Sequence, residues 1–138
     1  NKPQALPSPV GARVGPVVIW PSIRRTEDYG ANGWAFYTKA PIVLPARTKV
    51  VLAVAPTARH LAGLQSGTSL GWVSSVRFEA CRERTPSFAY DGTVGKYTGF
   101  PFGFGLARRS LCVPMEVWLD GSDTPIRRLV PFGRRSCG

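Results

Sequence analysis

Apolar and polar residues alternate with a period of two in several short stretches of this chain, and that period belongs to β-strands. In Thr48–Ala55, Val50, Leu52 and Val54 share one face, Lys49, Val51 and Ala53 the other, and Pro56 ends the stretch. In Ser75–Cys81, Val76, Phe78 and Ala80 face one way; in Cys112–Leu119, Val113, Met115, Val117 and Leu119 do, with Cys112, Glu116 and Trp118 opposite. Val17–Trp20, Trp34–Thr38, Ile42–Leu44 and Ile126–Phe132 are shorter strand candidates between Pro, Gly and Asn-Gly turn signals. Lys96–Leu106 (KYTGFPFGFGL) puts Phe100, Phe102, Phe104 and Leu106 on one face and Gly99, Gly103 and Gly105 on the other. A glycine face lets another backbone or an aromatic ring lie close against it. Asp120-Gly121-Ser122-Asp123 marks a hairpin. Ser22–Gly33 is polar and reads as a loop, and Thr57–Leu64 (TARHLAGL) suggests one helical turn. The pattern predicts an all-β fold: an antiparallel β-sandwich, broadly immunoglobulin-like, of seven or eight strands. Its core should contain Val50, Leu52, Val54, Val76, Phe78, Phe102, Val113, Met115 and Val117.

One register aligns two of these strands on several counts. With Cys81 opposite Cys112 in an antiparallel pair, Ala80, Phe78 and Val76 meet Val113, Met115 and Val117, and Arg77 meets Glu116. The expectation is a Cys81–Cys112 disulfide, with Cys137 unpaired or engaged outside the domain. A structural disulfide implies an oxidising, extracytoplasmic setting.

Residues 1–16 (NKPQALPSPVGARVGP) contain four prolines and little apolar pattern, and read as a semi-rigid linker or stalk. Residues 17–138 then form a single domain, long enough to bury a real core. Apolar runs such as Val50–Pro56 fall far short of the roughly 20 residues a membrane-spanning helix needs. A membrane anchor upstream of the chain stays open.

Charge changes the picture in one respect. The net charge is +10, and no acid lies between Tyr29 and Phe78. Arginine doublets stand at Arg24-Arg25, Arg108-Arg109, Arg127-Arg128 and Arg134-Arg135. Scattered doublets make a solvated basic surface; a continuous anion-binding face requires the fold to bring them together. Arg24, Arg25, Arg108, Arg109, Arg127 and Arg128 are the candidate anion-binding residues.

The succession VRFEAC, DGTVGKYTGFPFGF, CVPMEVWLDG and RRLVPFG, from about Val76 to Gly133, resembles a group of uncharacterised actinobacterial proteins. That resemblance implies an exported or envelope-anchored chain with a small β domain and paired cysteines, and implies no activity.

Catalytic chemistry is poorly supplied. His60 is the only histidine, so any serine or cysteine nucleophile would depend on it as base; it reads as an exposed loop residue beside Arg59. The acids Glu27, Asp28, Glu79, Glu83, Asp91, Glu116, Asp120 and Asp123 are dispersed over turns and outward strand faces, not paired across a cleft. Gly99–Gly105 has no following helix and no Lys-Ser/Thr, so it is no phosphate loop. One His, one Met and three Cys point to no metal site and no cofactor. The tryptophans Trp20, Trp34, Trp72 and Trp118 read as buried under loops or a second sheet, with a platform for sugars or nucleobases as the alternative. These readings converge on a non-catalytic extracytoplasmic structural or interaction module. Its partner would be a protein or an anionic envelope polymer, ahead of nucleic acid. The competing reading is a basic protein that binds an anionic polymer.

Overall fold

A computed structural model of the chain describes residues 10–67, 71–80 and 97–138. These residues are 57% strand and 6% helix, so the all-β expectation stands. They form twelve strands in three four-stranded sheets, where seven or eight were expected. The first sheet runs β1 (Ala12–Val14), β2 (Val17–Ile19), β5 (Ile42–Pro45), β9 (Tyr97–Phe100). The second runs β3 (Glu27–Ala31), β4 (Trp34–Lys39), β10 (Phe102–Leu106), β7 (Ala62–Ser66). The third runs β12 (Ile126–Phe132), β11 (Leu111–Leu119), β6 (Lys49–Val54), β8 (Ser75–Glu79). Every pairing is antiparallel.

One apolar core joins the three sheets. Val50, Leu52, Val54, Phe78, Phe102, Val113, Met115 and Val117 are buried in it, and Val76 packs partly buried against it. A line of ring contacts crosses it: Phe100–Phe78 at 5.0 Å, Phe78–Phe102 at 5.4 Å, Phe102–Phe104 at 5.2 Å and Phe104–Phe132 at 4.9 Å. Tilted and edge-on pairs at these spacings suit the quadrupoles of the rings. The Asp120–Asp123 hairpin is formed, with Gly121 at φ +77° and the Ser122 amide donating to the Leu119 carbonyl.

Several expectations are corrected. β8 pairs with β6, setting Phe78 opposite Val50 and Arg77 opposite Val51, so the predicted β8–β11 ladder does not exist. β11 instead lies between β12 and β6, with Glu116 opposite Arg127 and Ala53. The reason is degeneracy: any strand of the right parity matches the apolar face of β11. β12 also supplies an opposite charge, through a hairpin whose short loop costs little entropy to close. Cys112 is bonded to Cys137, with Cα atoms 5.7 Å apart. That overturns both the Cys81–Cys112 bond and the unpaired Cys137; Cys81 itself lies outside the described residues.

Ala12–Val14, read as part of the linker, is instead a strand paired with β2, and Val14 is fully buried, while residues 1–9 lie outside the described residues. β3 runs through the stretch read as a polar loop; all five of its residues are exposed, so it carries no apolar signature. Thr57–Leu64 gives only a 3-10 turn, Pro56–Ala58, before β7 begins. The single strand read over Lys96–Leu106 breaks at Pro101, where the chain passes from the first sheet to the second.

Candidate functional site

The outer face of the second sheet is paved with glycine and roofed with aromatic rings. Along β10, Phe102, Phe104 and Leu106 are buried in the core, so the alternate residues Gly103 and Gly105 open on the other side. The ladders put Tyr37 and Gly63 opposite Gly105, and Lys39 and Gln65 opposite Gly103. A Cβ on Gly105 would stand 2.5 Å from the Trp34 ring, one on Gly63 2.7 Å from it, and one on Gly103 2.7 Å from the Tyr37 hydroxyl. Both rings therefore rest directly on backbone, as the glycine spacing of β10 had suggested.

Two further rings extend this surface. The β3–β4 hairpin turns at Asn32 and Gly33, both with positive φ, and returns Tyr29 beside Tyr37 at 5.4 Å between centroids. Trp72, just before β8, lies 6.0 Å from Tyr29, 6.0 Å from Tyr37 and 6.5 Å from Trp34. Its indole N–H is buried without a hydrogen-bond partner among the described residues. Asn32 Nδ2 donates to the Tyr29 hydroxyl at 3.0 Å, fixing the most exposed of these rings. The Tyr37 phenol is held above its ordinary pKa of 10.0, first by burial, then by Tyr29 and Glu27.

Polar side chains border the rings. One groove of about 240 Å³ is lined by Ser22, Arg25, Glu27, Tyr37, Thr38 and Lys39. A second, of about 200 Å³, includes Tyr37, Lys39, Gln65 and Gly103. Tyr37 and Lys39 belong to both. Flat rings with amide, hydroxyl and charged groups at the margin can stack a planar or C–H-rich ligand while orienting its polar groups.

The six candidate arginines have different partners. Arg109 pairs with Asp28 at 2.8 Å and lies 4.8 Å above the Phe36 ring, and its carbonyl accepts from Thr26 Oγ1 at 2.8 Å. Arg127 Nε donates to Glu116 Oε2 at 3.0 Å, and Arg128 Nη1 donates to the Arg127 carbonyl. Arg108 is exposed between β10 and β11. Arg24 and Arg25 instead meet Arg134 and Arg135, the doublet left out of the candidate set. Its position two residues before Cys137 was the available signal, and the wrong disulfide concealed it.

Other sequence candidates are scattered. Glu116 shares the outer face of β11 with Trp118 but is buried there, and Arg127 takes the place expected for Arg77. Glu79 pairs with Lys49 at 3.7 Å, His60 and the hairpin acids are exposed, and Glu83 and Asp91 lie outside the described residues. Among the described residues no three His, Cys, Asp or Glu side chains cluster as metal ligands would. Trp20 packs on the core, and Trp118 lies half-buried on the outer side of β11, opposite Val51. Among the described residues no helix is long and apolar enough to cross a membrane. Compared with family models, with curated proteins and with solved structures, the chain finds no match.

Proposed function

We propose that this protein is a non-catalytic interaction module acting outside the cytoplasm, and that it holds saccharide chains of the cell envelope on the aromatic face of its second sheet. The observation that carries the reading is the contiguous set Tyr29, Trp34, Tyr37 and Trp72, seated on Gly63, Gly103 and Gly105. Glycines that let rings lie on a sheet's outer side create a surface with no role in the core. Sugar rings present C–H faces that match such a surface, and Glu27, Lys39 and Gln65 at its margin can bond hydroxyl groups.

The Cys112–Cys137 bond supports an oxidising compartment, as does the resemblance to exported envelope proteins. For the frame we favour a sandwich layering, broadly as in immunoglobulin domains, because rings of β8, β10 and β12 meet across one core. Acids held in ion pairs or hairpin turns favour binding over catalysis. A disulfide-bonded chain is a poor fit to intracellular nucleic acid, so sugars are preferred to nucleobases as the stacked group.

The test is a titration with soluble neutral polysaccharides, read by tryptophan fluorescence. Saturable change is expected, and Tyr29→Ala, at an exposed ring, should weaken binding about tenfold, within the ~1–3 kcal/mol of one stacking contact. Absence of binding to any neutral glycan would sink the reading.

A further inference from the structure

We propose that the cleft formed by Arg24, Arg25, Arg134 and Arg135 is an oxyanion site for a phosphate or sulfate ester carried on the saccharide chain. That the ester belongs to a saccharide rests on the function proposed above; the oxyanion site does not.

The cleft, about 460 Å³, is lined by those four arginines and Gly133. Among the described residues the ion pairs are Lys49–Glu79, Arg109–Asp28 and Arg127–Glu116, so none neutralises the cleft. Four guanidinium groups always carry charge and repel one another. Their neighbourhood has to be imposed by the fold, and it is. Arg24 ends the 3-10 turn Pro21–Arg24, and its Nη2 donates to the Val10 carbonyl at 3.3 Å. On the facing segment, the Gly133 amide donates to the Ile23 carbonyl at 2.8 Å, and Cys137 is bonded to Cys112. The Arg134-Arg135 doublet is thus pinned on both sides, directly against the residue that precedes Arg24. Gly133 has φ +68°, and a Cβ there would collide with the Arg109 carbonyl, so this close approach requires glycine.

Arg24 Nε is buried without a hydrogen-bond partner. An oxyanion bound among the four guanidinium groups would quench their repulsion. Guanidinium forks match oxyanions bidentately. A carboxylate offers two oxygens, too few for several forks, whereas a phosphate or sulfate ester offers three outer oxygens in a tetrahedral arrangement. Arg25 also lines the groove that contains Tyr37 and Lys39, so the cleft and the aromatic face border one another. A chain with its sugars on the rings can place its ester among the arginines.

The site is tested with inorganic phosphate, followed by the arginine Nε–H signals of the whole protein in nitrogen-correlated spectra. Signals of Arg24, Arg25, Arg134 and Arg135 should shift saturably, while those of Arg127 and Arg128 serve as internal controls and stay nearly fixed. Parallel, unsaturating shifts of all six would overturn the site. The source of the anion is tested with dextran and dextran sulfate at near-physiological ionic strength, where diffuse attraction by the net charge is screened. The wild-type protein should bind dextran sulfate about tenfold more tightly than dextran, and Arg134→Gln/Arg135→Gln should bind both alike. A preference that survives in that double variant overturns the proposal. Binding of dextran sulfate alone, lost in the double variant, keeps the oxyanion site and refutes the saccharide face. Phosphate shifts without any polymer binding confine the site to free phosphate and refute its place on a saccharide.

Discussion

Trp34 lies flat against Gly105: a Cβ on that glycine would stand 2.5 Å from Trp34 Cγ, where no carbon can sit. Gly105→Ala must therefore lift the Trp34 ring or shift the strand. The expected cost is about 1–3 kcal/mol, the usual penalty of overpacking. Denaturant unfolding reads the cost, and near-ultraviolet dichroism reads the displaced ring. Unchanged stability together with an unchanged spectrum would show that Trp34 does not rest on the glycine floor.

Glu116 is 4% exposed and its carboxylate is met by Arg127. Arg127→Gln leaves a charged acceptor buried without its cation, which costs about 1–3 kcal/mol. The value should fall toward the lower end, since Arg127 itself is largely exposed and solvent screens the pair. Arg77→Gln should change stability by less than about 0.5 kcal/mol, as exposed substitutions generally do. A double-mutant cycle with Glu116→Gln separates the two pairs; coupling to Arg77 instead of Arg127 would restore the register expected from the sequence.

The Cys112–Cys137 bond spans 25 residues. The loop-closure relation puts its stabilisation at about 3–4 kcal/mol, and Cys137→Ser should lose that amount. Peptide mapping without reductant should recover a crosslinked Cys112–Cys137 peptide. A Cys81–Cys112 peptide would mean that the tail carrying Arg134 and Arg135 is not tethered.

Tyr37 should give a late-ionising phase in a spectrophotometric titration, because burial holds its pKa above 10.0. The sign follows from linkage: the folded-state pKa is raised, so the stabilisation is complete below the unfolded value of 10.0. It is lost as pH climbs through the folded-state value. Tyr37→Phe should abolish the late-titrating phase and flatten the alkaline fall in stability. If the late phase persists in that variant, another tyrosine is the buried one.

Strand character was legible wherever one side faces the core and the other does not. β6, β8 and β11 announce themselves by alternation, as does the glycine-backed β10. β3 could not, because all its residues are exposed and its strand form comes from the ladder it makes with β4. β7 lay partly inside Thr57–Leu64, the stretch read as a helical turn. The site was half legible: the glycines of β10 left room for another backbone or a ring to lie close, without saying which.

By itself, the sequence determined the secondary-structure class and most of the core, because burial selects apolar side chains at a period of two whatever the neighbour. It also contained every arginine of the cleft and every ring of the aromatic face. Only the tertiary structure decided partners: β8 beside β6, Glu116 with Arg127, Cys112 with Cys137, and Arg24-Arg25 facing Arg134-Arg135. Pairing is decided by which strands lie adjacent once the whole core closes, and alternation is the same for every candidate partner. A local pattern fixes the face on which a residue sits, and the closed core fixes what it meets there.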